Sequence, residues 1–104
     1  MIYVSGQIAL DPLSGELRMG SISEETRQVL DNLKAVLEAG GASLNHVVKC
    51  SIFLSDMRHF NEVNAVYETY FADIQPARET VAVAGLPKAV HVEISAIACL
   101  TFTI

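Results

Sequence analysis

The chain has 104 residues, enough for one domain built round one core. With 51% apolar residues, 18% charged residues, three prolines and six glycines, it is neither disordered nor low in complexity. A formal net charge of −5, with lysine and arginine scattered, leaves no basic stripe of the kind that nucleic-acid binding requires.

The apolar fraction is high for a chain this small, which has much surface per residue. Part of that surface calls for a partner. Two cysteines, Cys50 and Cys99, are too few for a disulfide framework and lack CxxC spacing. They read as small core hydrophobes in a reducing compartment. No basic segment followed by an apolar core opens the chain, and no apolar run reaches the ~18 residues of a membrane span. The expectation is a cytoplasmic protein with no membrane contact.

In chain order, Ile2, Val4 and Ile8 alternate with Tyr3, Ser5 and Gln7, the period of a strand. Asp11-Pro12-Leu13-Ser14-Gly15 supplies turn chemistry, and residues 16–19 are expected to return as a short second strand. Ser21 and Glu24 read as a capping box. After them Val29, Leu30, Leu33, Val36 and Leu37 share a helical face that ends at Gly40-Gly41. Residues 47–54 form a strand with Val48, Cys50, Ile52 and Leu54 on its apolar side. Asp56 is placed to cap a second helix whose face carries Phe60, Val63, Asn64, Tyr67 and Phe71, and which Pro76 ends. Two more strands are expected over residues 79–84 and 90–104, joined by Gly85-Leu86-Pro87-Lys88.

The order β-β-α-β-α-β-β is an α+β domain, with both helices covering one face of the sheet. The other face, carrying Phe53, Ile97 and Cys99 among small and polar groups, is an economical place for a subunit interface.

Glycine-rich phosphate loops and the GxSxG elbow are absent. His46, His59 and His91 fall in three different elements, so no zinc site is expected. Two groups stand out. Arg78, in Pro76-Ala77-Arg78-Glu79-Thr80, can offer a two-pronged donor to a carboxylate where a loop enters a strand. Glu93 lies inside the apolar alternation of the last strand, where burial would raise its pKa and fit it for acid–base work. The two residues alone leave two readings open: a structural ion pair between neighbouring strands, or a site.

Tyr3-Val4-Ser5-Gly6-Gln7-Ile8, Val47-Val48-Lys49, Asn61-Glu62-Val63-Asn64-Ala65-Val66-Tyr67, Pro76-Ala77-Arg78, Leu86-Pro87-Lys88 and Val92-Glu93-Ile94-Ser95-Ala96-Ile97-Ala98 occur in that order. Together they resemble the YjgF/YER057c/UK114 or Rid family of enamine/imine deaminases, over essentially the whole chain. The resemblance implies a chorismate-mutase-like fold of the bacillus type, and a homotrimer whose sheets form a central barrel with sites in clefts between subunits. It implies hydrolysis of 2-imino acids such as 2-iminopropanoate and 2-iminobutanoate to 2-keto acids and ammonia, without metal or organic cofactor.

Carried over by position, Arg78 matches the arginine that grips the substrate carboxylate, and Glu93 the glutamate that positions and activates water. Gly6, following Ser5, matches a glycine whose backbone N–H helps hold the ligand. Asn64 matches an asparagine near the pocket, and packing the helix on the sheet is an equal reading of that side chain. Thr80 stands where many members have a cysteine, so no essential thiol is expected, while its backbone remains able to face the ligand. Members usually begin roughly 20–25 residues earlier, with a first strand and a Gly-Pro-Tyr-type motif whose tyrosine lines the pocket. The chain accordingly reads as one domain over residues 1–104 that starts at the family's second strand. A non-catalytic carboxylate-binding or protein-interaction role on the same fold is the alternative, and a ribonuclease role lacks a basic patch.

Overall fold

Helix α1 (Ile22–Ala39) forms where apolar period and caps agree, in a computed structural model that describes residues 1–100. Ser21 is extended, and its Oγ accepts the Glu24 N–H at 3.1 Å, satisfying one of the N–H groups that a helix start leaves open. Gly41, at φ +81°, turns the chain away after the last turn. Val29, Leu30, Leu33 and Leu37 are fully buried. At roughly 1.5–3 kcal/mol for each large side chain, that stripe holds α1 on the sheet. Val36, expected with them, lies at the margin of the stripe and is half-exposed.

Among the described residues, β1 (Ile2–Gln7), β2 (Val47–Leu54), β3 (Ala77–Ala82) and β4 (Val92–Ala98) form one sheet in the order β1-β4-β2-β3. Strand β4 is antiparallel to both its neighbours, whereas β2 and β3 are parallel. A parallel pair cannot be closed by a tight turn, so helix α2 (Phe60–Phe71) makes the crossover. Helix α1 packs on β1, β4 and α2, and Val63, Val66, Tyr67 and Phe71 of α2 complete the same core. The covered sheet face carries Val4, Cys50, Ile52, Leu54, Val92, Ile94, Ala96 and Ala98. This is the expected α+β architecture, a mixed sheet with two helices on one side.

Four expectations need correction. Residues 16–19 do not make a second strand. Leu10 and Leu17 form a single bridge, because the Asp11 carboxylate takes the Leu13 N–H into a tight turn and Pro12 has no donor to extend a ladder. Strand β3 starts at Ala77 rather than residue 79, since the ladder with β2 can begin as soon as Pro76 is passed; Arg78 is therefore inside the strand. Strand β4 covers Val92–Ala98 and includes neither residues 90–91 nor 99–100 of the expected 90–104; its end coincides with the ends of its partners, Ile2 and Val47 both lying opposite Ala98. Residues 101–104, Phe102 and Ile104 among them, lie outside the described residues. In β2 an irregularity between Val47 and Lys49 buries Val47 in place of Val48.

Asp56 does act as a cap, accepting the Arg58 N–H at 2.8 Å at the head of a short 3-10 turn (Met57–His59) that runs into α2. No helix among the described residues is long and apolar enough to cross a membrane.

Candidate active site

Arg78 lies opposite Cys50 on β2 and reaches toward α2 on the helix-covered side of the sheet. Its guanidinium carbon sits 4.8 Å from the Tyr67 ring centroid and 5.8 Å from that of Phe60, a cation–π shelf. Nη1 donates to Asn64 Oδ1 at 2.5 Å. The arginine is thus aimed from two sides while remaining exposed, beside a recess of about 170 Å³ lined by Tyr67, Glu68, Phe71, Gln75, Pro76 and Arg78. Asn64 and Tyr67 are three residues apart on one helix, so a single face of α2 supplies both contacts.

Under this shelf the groups are closed to solvent. Burial pushes the Cys50 thiol up to about 11 and raises the Tyr67 hydroxyl well above the ordinary phenol range. Cys50 is therefore no ready thiolate at neutral pH. Thr80 lies two residues beyond Arg78, opposite Ile52, with its Oγ1 buried, and the Tyr67 hydroxyl is buried beside the Cys50 thiol.

Glu93 belongs to the other face. It lies opposite Phe53 on β2, in the row that continues to Val81 on β3. The register of β1 on β4 shifts between Val4 and Gln7, so Ser5 and Gly6 form a bulge beside Glu93. Gly6 touches the carboxylate so closely that a Cβ there would stand 2.6 Å from Glu93 Cδ and Oε2. Glycine is required by that approach. Ser5 is exposed next to it, and Glu93 is half-buried in the single chain, less enclosed than the sequence pattern suggests.

The expected residues therefore gather as two sets, Arg78 with Asn64 and Thr80, and Glu93 with Gly6 and Ser5. β2 lies between β3 and β4, and the two sets occupy opposite faces. An Arg78–Glu93 ion pair between neighbouring strands is excluded within one chain. The aromatic shelf has no signal of its own in the sequence, where Tyr67 and Phe60 read as one apolar helix face. Among the described residues, no group of three His, Cys, Asp or Glu is placed to hold a metal ion.

Residues 1–100 match the family described as Endoribonuclease L-PSP. The chain belongs to this family, the YjgF/UK114 family whose motifs it carries. The 2-iminobutanoate/2-iminopropanoate deaminase of Mus musculus is 50% identical over 97 residues, which span 93% of this chain and 72% of that protein. A Thermotoga maritima crystal structure, described as that of a candidate endoribonuclease, superposes with TM-score 0.94 at 55% identity, covering 96% of this chain and 79% of its own. The structure of Escherichia coli TdcF with bound serine superposes with TM-score 0.90 at 36% identity, covering 95% and 80%. The formal net charge is −5, and Arg18, Lys49 and Arg58 are each paired with a carboxylate.

Proposed function

We propose that the protein hydrolyses small 2-imino acids to 2-keto acids and ammonia, using no metal or organic cofactor, as a homotrimer with its sites between subunits. Arg78 binds the substrate carboxylate through its two-pronged edge. Glu93, from the facing subunit, accepts a proton from water as the water oxygen attacks the C=N carbon. That attack gives a carbinolamine. Glu93 passes that proton to the nitrogen, then carries the carbinolamine hydroxyl proton to the same nitrogen as C=O forms, and the C–N bond breaks to release ammonia and the keto acid. The Gly6 N–H and the Ser5 edge orient the ligand, Asn64 holds the arginine, and Thr80 faces the pocket through its backbone.

The observation that carries this reading is the exposed Arg78, pre-aimed by Tyr67, Phe60 and Asn64, in a chain half identical to a named imine deaminase. Orientation of that kind is worth several powers of ten in a reaction with so simple a nucleophile. The test generates 2-iminobutanoate from threonine with a dehydratase and follows ketobutyrate release. Wild type should accelerate release, and Arg78→Ala should lower kcat/KM by about 100-fold through lost ground-state and transition-state binding. Full turnover by Arg78→Ala would remove the arginine from the site.

A second reading, a carboxylate-binding member without catalysis, is favoured by the opposite-face placement of Arg78 and Glu93, since binding needs only the arginine. TdcF with its serine is an example of a small carboxylate held by a relative. No acceleration by folded, trimeric protein would leave this second reading standing.

A further inference from the structure

Glu25 is fully buried in the first turn of α1, on the apolar stripe four residues before Val29. A carboxylate there is costly unless it is fully hydrogen-bonded. Its Oε2 accepts the backbone N–H of His91 at 2.8 Å and of Val92 at 2.9 Å, and its Oε1 lies 2.8 Å from His91 Nδ1. These are the residues immediately before Glu93.

Topology explains the arrangement. The ladder between β1 and β4 ends at Gln7 opposite Ile94, so His91 and Val92 have no β1 partner. Glu25 takes the place of the missing strand. The chain also needs such an anchor here, because the turn leading into β4 holds Lys88 at φ 56° and Ala89 at φ 55°, left-handed conformations that non-glycine residues seldom adopt. Local preference alone would not deliver the chain to this register.

We propose that Glu25 is a positioning residue for the reaction, acting as a surrogate strand partner that sets the backbone from which Glu93 reaches its water. The proposal rests on the role assigned to Glu93 above. Glu25 touches neither substrate nor water. Its effect is transmitted through two peptide units, and a displacement of about 1 Å at a catalytic group costs up to about 100-fold in rate.

The test compares Glu25→Leu, Glu25→Gln, Glu25→Asp and Glu93→Gln in the imine assay, under conditions where each is folded by circular dichroism. Glu25→Leu leaves both N–H groups unpaired and should lower kcat about tenfold, with KM within about twofold because Arg78 is untouched. Glu25→Gln keeps one acceptor oxygen and should recover kcat to within about threefold of wild type. Should the leucine variant fail to fold, Glu25→Asp, which withdraws the carboxylate by one methylene, should show the same selective fall in kcat. The amide resonances of His91, Val92 and Glu93 should shift in each variant in proportion to its lost kcat. Unchanged kcat in the folded leucine or aspartate variant, or a loss shared equally by kcat and KM, would overturn the proposal. Full activity in Glu93→Gln would instead overturn the reading of Glu93, so the two failures are distinguishable.

Discussion

Gly6 and Asp11 show how much a single position carries. Gly6 sits in the β1 bulge with its Cα against the Glu93 carboxylate, and a methyl group at that point would overlap Cδ and Oε2 at 2.6 Å. The clash is with the end of a flexible side chain, so Gly6→Ala should fold and move the carboxylate aside. The expected result is a fall of about 10- to 100-fold in imine turnover, with a urea midpoint close to wild type. A Gly6→Ala protein with full turnover would separate Glu93 from catalysis. Asp11 makes a pH prediction. Hydrogen bonds from Arg18, followed by that from the Leu13 N–H, hold its carboxyl below the ordinary aspartate range. A depressed folded-state pKa contributes stability above the unfolded value, and the contribution is lost as pH falls through the folded one. Wild type should therefore be more stable than Asp11→Asn at neutral pH. The gap should close below pH of about 4, as urea titrations across the acid range would register. A gap that widened on acidification would contradict the ion pair.

Helix α1 and strand β2 were legible from sequence because their information is local. The α1 stripe, its serine cap and its left-handed Gly41 lie in one stretch of chain, and β2 alternates cleanly from Cys50 to Leu54. Ser21→Ala should cost about 1 kcal/mol, measured as a lowered urea midpoint with unchanged slope. No change would mean that the first turn is held by Glu25 and its partners instead. Strands β3 and β4 were legible as strands and not at their ends, which are set by Pro76 and by where β1 and β2 stop. The same distinction divides the site. Arg78, Glu93 and Gly6 carry recognisable neighbours in the chain, so each was found alone. The Tyr67–Phe60 shelf depends on how α2 lies against β3, the Ser5–Gly6 bulge on register, and the Glu25 anchor on the early end of β1. A glutamate on an apolar helical stripe was the one signal of that anchor available in advance, since an acid four residues from Val29 must either break the stripe or find donors inside it.

At the scale of the molecule, Arg78 and Glu93 lie on opposite faces of one sheet, and a reaction using both, as proposed, requires more than one chain. The uncovered face carries the means. Tyr3 and Val81 are exposed at 73% and 44%, Phe53 and Ile97 lie between them, and the only ion pair described on this face is Lys49 with Glu79 at 3.4 Å. These apolar residues stand among Ser51, Ser95 and Glu93, a mixed surface of the kind that a subunit interface can cover. Closed symmetric assembly would bury it, and the proposed mechanism requires that assembly to set Glu93 of one protomer against the Arg78 edge of another. Light scattering should give about three times the 11.3 kDa chain mass over a wide concentration range. Val81→Lys tests the link to function. The position is half-exposed in a single chain, so a lysine there costs one protomer little, whereas a charge buried without a partner between protomers is strongly unfavourable. The variant should run at the mass of one chain, keep its circular dichroism spectrum, and lose imine turnover together with assembly. Imine turnover by wild type at the mass of one chain, or full turnover by a monomeric Val81→Lys, would show that Arg78 and Glu93 do not work as a pair.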